Sequence, residues 1–270
     1  MQHEIIKLSD ARQYLSTRRT FRFPGFRYLG GKVKQALTIC SCAPPTGNIF
    51  ADVFAGLGNV FWPATFLLRY KHWWVNDIRT AEFFPAVARV GNTVKVPDRS
   101  ETEAFYDFYK NEYYRPSSDR YRDEAIVLSP YLSRNGGGYD KWSARTGGVG
   151  GVGAITYARN LCEAHAIMHR TNPLVTNWDY EKVFESLGPS DFAFIDPPYL
   201  GANVGSYGAS DLDHKRLIIW LKYAKFKWLL CEYACPVYFK CLGEPFWARN
   251  VHCHAHQNGG RRTECMWKNY

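Results

Sequence analysis

The stretch FAFIDPPYLG, residues 192–201, changes abruptly from apolar residues to rigid and polar ones. Its first four residues form a run typical of a strand buried on both faces of a sheet. Pro197 and Pro198 cannot donate ladder hydrogen bonds, so a central strand has to end before them. Asp196 and the ring of Tyr199 therefore stand at the carboxyl end of a strand. In open α/β sheets that end is where ligands bind.

Strand and helix patterns alternate along most of the chain, which predicts an α/β fold with a mainly parallel sheet. Strand patterns occur in GNIFADVF, HWWVND, PLVTNW, DFAFID and KWLLCEY. Between the first two, NVFWPATFLLRY predicts a helix with Asn59 as its N-cap. The final NVHCHAH-QNGG-RRTECMWKNY predicts a β-hairpin around an Asn-Gly turn, which would add an antiparallel edge.

Residues 96–165 differ in character from the rest of the chain. They begin with segments rich in Tyr, Arg and Lys that predict helix in pieces, and they continue into NGGGYDKWSARTGGVGGVG, which is too rich in glycine for regular structure. We therefore expect one α/β domain made of residues 1–95 and 166–270, interrupted by a mostly helical inserted region at residues 96–165.

Composition favours a globular protein with a polyanionic partner. The chain has 270 residues, of which 46% are hydrophobic, so it can form a real core. A formal net charge of +9 together with 16% aromatic residues favours nucleic acid, because aromatic rings can stack on bases.

The eight cysteines, in a long chain whose start has no signal-peptide pattern, predict free thiols and a cytoplasmic location. The apolar run at residues 49–68 is interrupted by polar residues, glycines and a proline, which argues against a membrane helix.

Two further motifs follow predicted strands. DVFAGLGNVF, residues 52–61, places Gly56 and Gly58 after a strand, where the backbone can approach a ligand closely. It lacks the full G-x-G-x-x-G pattern and a following Lys-Ser/Thr, so neither dinucleotide nor P-loop binding is favoured. Asp77 ends the next strand, where a carboxylate can accept hydrogen bonds from a ribose. Each motif alone has a structural interpretation, as a plain turn or a helix N-cap, but together they favour a nucleoside cofactor.

The Asp-Pro-Pro-Tyr motif, with FAGLG upstream, resembles the amino-group DNA methyltransferases that use S-adenosylmethionine, and specifically their N6-adenine class. The order RYLGGK (residues 27–32), FAGLG, ND, an inserted region and DPPY is similar to the Dam-type group, also called D12 or alpha. The closing RRTECMWKNY, with its Glu and its Asn-Tyr end, also resembles this group. The resemblance covers nearly the whole chain from residue 24. It implies a Rossmann-like methyltransferase fold and transfer of a methyl group to a flipped adenine in duplex DNA.

The resemblance also implies catalytic roles. Asp196 and the backbone carbonyl of Pro197 would each accept one hydrogen of the adenine amine, and Tyr199 would stack on the base. Two acceptors pull the amine towards tetrahedral geometry, free its lone pair and stabilise the positive charge that develops during attack.

Further roles concern the cofactor, S-adenosylmethionine. Lys32 would neutralise its carboxylate, Asp77 would hold its ribose, and Asp196 would also lie near its amino group. By the same resemblance, Tyr28 would pack near its methionine part, and Phe54 and Gly56 would line its pocket. Asp179 would help to frame its adenine.

DNA contacts are expected mainly from the inserted region. Arg134, Lys141 and Arg145 flank flexible glycines and alternate with aromatic residues, so they are candidates for phosphate contacts; solvated loop charges are the alternative. Arg27 aligns with a DNA-contacting position of the group. The resemblance further implies a monomer, and the interrupted apolar run at residues 49–68 predicts that no membrane is involved.

The sequence departs from the group at several positions. Asp52-Val53 replaces the usual Glu-Pro, and Ser133 stands where Asn is common. The glycine-rich segment does not match the usual recognition hairpin, so the target sequence is not predicted.

HCHAH, residues 252–256, lacks a partner C-x-x-C pair and is interpreted as an edge strand without metal. Two alternatives stay open: an inactive DNA-binding relative, and an enzyme of the same fold acting on RNA adenine or on cytosine N4.

Overall fold

A seven-stranded sheet forms the centre of the molecule, in a computed structural model that describes residues 23–28, 30–133, 138–139, 153–201, 212–252 and 261–270. The strands are β1 Thr46–Asp52, β2 Arg69–Asn76, β3 Leu174–Thr176, β4 Phe192–Ile195, β5 Lys227–Tyr233, β6 Trp247–His252 and β7 Arg261–Lys268. Their order is β3-β2-β1-β4-β5-β7-β6. Strands β1 to β5 are parallel, and β7 is antiparallel to both of its neighbours. The predicted α/β class is confirmed, while the turn of the predicted hairpin, residues 253–260, lies outside the described residues.

Helices cover both faces of the sheet. They are α1 Ala36–Cys42, α2 Phe61–Leu67, α3 Phe83–Val90, α4 Thr102–Tyr114, α5 Asp119–Leu132, α6 Ala154–Thr171, α7 Tyr180–Glu185, α8 His214–Tyr223 and α9 Pro236–Leu242, with a 3₁₀ turn at Arg99–Glu101. Successive strand residues point to opposite faces. Phe192 and Phe194 therefore pack with α1 to α6, whereas Ala193 and Ile195 pack with α7 to α9. The result is a three-layer arrangement with helices on both sides.

The helices of the predicted insertion share the core of the sheet. Residues of α4, α5 and α6, such as Leu128 and Leu161, belong to the same buried cluster as Phe84 on α3. Arg89 on α3 makes two hydrogen bonds to the buried carboxylate of Asp123 on α5, at 2.5 and 2.7 Å. Helix α6 runs without a break through residue 165, so the predicted boundary at residues 165/166 falls inside one helix.

The helix after β1 is shorter than predicted, because strand β2 already begins at Arg69. Asn59 also does not cap it. The Asn59 side chain accepts a hydrogen bond from the Phe26 backbone N–H and donates one to the Phe26 carbonyl, each at 3.0 Å. The Asn59 side chain therefore bonds to a residue that is distant in the chain, and not to the helix N-terminus that the local pattern predicted. In the described part of the chain, no helix is long and apolar enough to cross a membrane.

Candidate ligand-binding cleft

A cleft of about 1120 Å³ opens at the carboxyl ends of the parallel strands. Strands β1 and β4 are neighbours in the sheet, and the chain runs outwards from them in opposite directions, through β2 and β3 on one side and β5 on the other. Such a reversal of strand order leaves a crevice where ligands bind in open α/β folds. The cleft brings together ten of the residues selected from sequence: Arg27, Tyr28, Lys32, Phe54, Gly56, Asp77, Asp179, Asp196, Pro197 and Tyr199. Arg134, Lys141 and Arg145 lie outside the described residues.

A buried ion pair lies at the end of β4. The Lys32 ammonium lies 2.7 Å from Asp196 Oδ2 and donates a hydrogen bond to the Gly30 carbonyl at 3.0 Å. Both side chains are largely buried, with exposures of 7% and 14%. The second oxygen, Asp196 Oδ1, is buried and has no hydrogen-bond partner among the described residues. One side of the carboxylate is therefore held by the protein while the other can accept hydrogen bonds from a ligand.

Burial and charge act against each other in this pair. Burial raises the pKa of Asp196, and the Lys32 ammonium opposes that rise. Burial alone would lower the pKa of Lys32, but the carboxylates of Asp196 and Glu264 outweigh it, so the pKa lies above its ordinary value. The lysine therefore keeps its proton, and the site holds a fixed positive charge between two acids.

Tyr199 is fixed by the last strand. Its hydroxyl donates a hydrogen bond to Glu264 Oε1 on β7 at 2.7 Å, and the Gln35 side-chain amide donates to the other Glu264 oxygen. The Lys32 ammonium lies 4.8 Å from the centre of the Tyr199 ring. The ring of Tyr233 meets the Tyr199 ring edge-on at 4.5 Å. Glu264, which the sequence marked only as part of a closing motif, thus orients the tyrosine of the Asp-Pro-Pro-Tyr segment.

The glycine turn and Asp77 brace one another. Asp77 Oδ2 accepts a hydrogen bond from the Gly56 N–H, and Oδ1 accepts from Arg79 and Thr80, all at 2.9 Å. The Thr80 hydroxyl donates to the Gly56 carbonyl. Gly56 has a φ of +54°, and a Cβ there would lie 2.8 Å from the Tyr28 ring. Asp77 therefore has the turn-capping role of the structural interpretation, and its half-buried carboxylate still has acceptor capacity at the cleft.

Asp52, the last residue of β1, is the buried acid that sequence reasoning treated only as a departure from a pattern. It is 1% exposed and lines the cleft. Neither of its oxygens has a hydrogen-bond partner among the described residues. Burial, reinforced by the nearby acids Asp196 and Asp77, raises its pKa well above the usual range. In the sequence, only its position at the end of a strand pointed to a role for Asp52. An N–H donor on a ligand would give its buried oxygens a hydrogen-bond partner.

Aromatic side chains also line the cleft. The rings of Phe54 and Tyr180 lie 5.8 Å apart, and the Lys182 ammonium lies 3.8 Å over the ring of Trp178. Asp179, between Trp178 and α7, accepts a hydrogen bond from the Glu181 N–H at 3.0 Å and so caps that helix. Trp178 was not selected from sequence, since nothing local distinguishes it from a core tryptophan.

The donor set of the cleft suits a ligand with a zwitterionic end and an aromatic end. Lys32 offers a cation to a carboxylate, and Asp52 and Asp196 offer acceptors to an ammonium group. Phe54 and Trp178 offer apolar faces to a flat ring. In the ranges that the structure describes, no three His, Cys, Asp or Glu side chains are placed so that they could hold a metal ion, and most of HCHAH falls outside those ranges.

Comparisons with solved structures find distant likenesses. No family model matches the chain, and no curated protein matches it. One solved structure that is similar comes from Pyrococcus horikoshii and is described as a candidate RNA methyltransferase. It is 12% identical, with a TM-score of 0.41, over 97% of this chain and 96% of its own length. A likeness this distant does not bear on activity.

Proposed function

We propose that this protein is an S-adenosylmethionine-dependent methyltransferase that acts on the N6 amine of adenine in DNA. One observation carries the proposal: the Asp196 carboxylate at the carboxyl end of β4 is held on one oxygen by Lys32 and buried without a partner on the other. It stands in an Asp-Pro-Pro-Tyr segment, and the glycine turn that follows β1 lines the same cleft. The parallel sheet with an antiparallel β7 agrees with the fold that the sequence resemblance implies.

The residues of the cleft fit the cofactor. Lys32 would hold its carboxylate, and the unpartnered oxygens of Asp52 would accept from its amino group. Asp77 would accept from the ribose, and the aromatic faces of Phe54 and Trp178 would enclose the adenine. When bound, S-adenosylmethionine supplies an electrophilic methyl group on a positively charged sulfur. A cleft of about 1120 Å³ has room for such a ligand beside a flipped base.

The chain's own residues would activate the amine. An exocyclic amine is a poor nucleophile because its lone pair is delocalised into the ring. Asp196 Oδ1 and the Pro197 carbonyl would accept its two hydrogens, while Tyr199 packs against the base. Acceptors held in place before the reaction stabilise the charge that develops on the amine, and the fixed geometry supplies proximity.

Charge supports a nucleic-acid substrate. Among the described residues, four cationic side chains besides Lys32 line the cleft: Arg27, Lys34, Arg79 and Arg249. With a net charge of +9, these groups favour a polyanion at the mouth of the site. We also propose that residues 96–165 contact the target sequence.

The test is methyl transfer from tritiated S-adenosylmethionine to unmethylated duplex DNA, followed by digestion to nucleosides. Label on N6-methyldeoxyadenosine is expected. Label on deoxycytidine, or on RNA offered in parallel, would transfer the proposal to the corresponding alternative substrate. A purified, folded protein that neither binds the cofactor nor transfers label would contradict the proposal and favour an inactive relative.

A further inference from the structure

A fully buried carboxylate lies beneath the segment that follows Asp-Pro-Pro-Tyr. Glu232 on β5 is 0% exposed and does not line the cleft. It accepts a hydrogen bond from the Leu200 backbone N–H, 3.2 and 3.1 Å from its two oxygens, and one from its own neighbour, the Tyr233 N–H, at 2.7 Å. A buried carboxyl group is unfavourable unless its oxygens have hydrogen-bond partners, so its contacts indicate what it does.

Two glutamates hold consecutive residues of this segment from opposite faces of the sheet. In the β5–β7 register Glu232 pairs with Cys265 and Tyr233 pairs with Glu264, so the two acids point to opposite faces. Glu264 accepts a hydrogen bond from the Tyr199 hydroxyl on the cleft side. Glu232 accepts a hydrogen bond from the Leu200 backbone N–H on the other side. The side chain of Tyr199 and the backbone N–H of Leu200, on either side of one peptide bond, are therefore each held by a glutamate.

Glu232 also supports Tyr199 through its neighbour. Because the Tyr233 N–H is bonded to Glu232, the backbone that carries the Tyr233 ring is fixed. That ring meets Tyr199 edge-on at 4.5 Å. On its far side Glu232 is backed by His214, whose Nδ1 lies 3.5 Å from Oε2 and 2.7 Å from the Tyr238 hydroxyl.

We propose that Glu232 is a positioning residue: by accepting the Leu200 amide from behind the sheet, it sets the place of Tyr199, and through it of Asp196, at the site of methyl transfer. This rests on the proposed function. Glu232 touches neither the cleft nor its ligands, so its loss changes the rate at saturating substrate and cofactor more than it changes binding.

The positioning depends on pH in a definite direction. Burial raises the pKa of Glu232 to about 8, and the two backbone amides and Lys32 oppose that rise. The ionised form, which accepts both amides best, prevails above that pH, so the transfer rate rises as pH increases through about 8. The titratable groups that face Glu232 or act on it come from α8, α9, β7 and the cleft: His214, Tyr238, Cys265, Asp196 and Lys32.

The experiment compares Glu232→Leu, which removes both acceptor oxygens, with Glu232→Gln, which keeps one and cannot ionise. Glu185→Gln, an exposed acid on α7, is the matched control. With tritiated S-adenosylmethionine and duplex DNA, we expect Glu232→Leu to lower kcat by about 10- to 100-fold, with cofactor Kd within about threefold of the unaltered protein. In Glu232→Gln the pH-dependent step near 8 disappears.

A second measurement does not depend on activity. Hydrogen exchange at the Leu200 amide is expected to be at least about tenfold faster in Glu232→Leu and measurably faster in Glu232→Gln, with α7 unchanged. The inference is overturned if Glu232→Gln keeps both the pH step and the protection of Leu200. Hydrogen exchange at Leu200 could change as expected while neither the unaltered protein nor any variant transfers methyl groups. In that case the contact between Glu232 and Leu200 is supported and the proposed function is wrong. Should Glu232→Leu not fold, Glu232→Gln decides alone.

Discussion

At the residue scale, the acceptor oxygen of Asp196 is the most consequential atom in the site. It is buried and without a partner among the described residues, whereas the other oxygen is held by Lys32. Asp196→Asn keeps the shape but replaces one acceptor with a donor. We expect methyl transfer to fall by at least about 100-fold, with cofactor affinity changed far less. Tritium transfer to DNA and calorimetric titration of the cofactor measure the two quantities. An Asn variant that transfers label at the original rate would contradict the assignment.

The Lys32 ammonium makes a second residue-scale prediction, on stability. Lys32→Met leaves Asp196 buried without its cation, 2.7 Å from the missing nitrogen, whereas Glu264, 3.6 Å from that nitrogen, keeps Arg249 at 3.7 Å. Removing one partner of a buried pair lowers the free energy of unfolding by about 3–5 kcal/mol. Urea unfolding of Lys32→Met, Asp196→Asn and the double variant tests this. The double variant should lose less than the sum of the single losses, and strict additivity would show that the two groups do not interact.

At the element scale, the turn after β1 depends on close contact between Gly56 and Tyr28. A Cβ at residue 56 would lie 2.8 Å from the Tyr28 ring, at a φ of +54°. We expect Gly56→Ala to displace the Tyr28 ring and to weaken cofactor binding by about tenfold or more, while costing about 1–2 kcal/mol of stability. Gly243→Ala is the control, because Gly243 has a φ of +80° and nothing within 4 Å of its Cβ position. Equal cofactor affinity in the two variants would rule out the Tyr28 contact as the cause.

Contacts between α3 and α5 make the inserted helices part of the core. The Arg89 guanidinium binds both oxygens of the buried Asp123, whereas the neighbouring Arg122–Glu82 pair is exposed on both sides. Asp123→Ala is expected to cost about 2–3 kcal/mol, because a charge-assisted bidentate contact is lost. Glu82→Gln should cost less than about 1 kcal/mol. Thermal unfolding of both variants measures the difference, and similar losses would mean that the α3–α5 contact is no stronger than a surface pair.

At the scale of the whole molecule, buried acids make stability depend on pH. Burial raises the pKa of Asp52, Asp196 and Glu232, the last to about 8. The folded chain therefore binds more protons than the unfolded chain above about pH 4, and the free energy of unfolding falls as pH rises towards 8. His214, whose pKa burial lowers, acts in the opposite sense below about pH 6.5. The comparison is therefore best made between pH 6.5 and 8.

Urea unfolding of the unliganded protein at these two pH values measures the effect. Asp52→Asn removes one of the three acids, so the free energy of unfolding should fall less between pH 6.5 and pH 8. The substitution breaks no hydrogen bond among the described residues, because neither Asp52 oxygen has a partner there. Glu185→Gln, an exposed acid, should leave the slope as it is. A protein that is more stable at pH 8 than at pH 6.5 would contradict the pKa directions.

Local pattern predicted the strands better than the helix ends. Alternation of strand and helix signals predicted the α/β class, and the two prolines after Asp196 marked the end of β4 correctly. Asn59 was misassigned as an N-cap because its partner, the Phe26 backbone, lies 33 residues away. The boundary predicted at residue 165 falls inside helix α6, since a change of composition does not have to coincide with the end of a helix.

Local pattern was enough to predict the α/β class, the approximate carboxyl ends of the parallel strands and the chemical types of the residues at those ends. These follow from hydrophobic periodicity and from proline and glycine, which act within a few residues. Which of those groups meet depends on the packing of distant segments: Lys32 contacts Asp196, Glu264 contacts Tyr199, and Glu232 contacts Leu200. Glu232 lies on β5 and Glu264 lies on β7. The register between these two strands, and not any local motif, determines the face of the sheet to which each acid points.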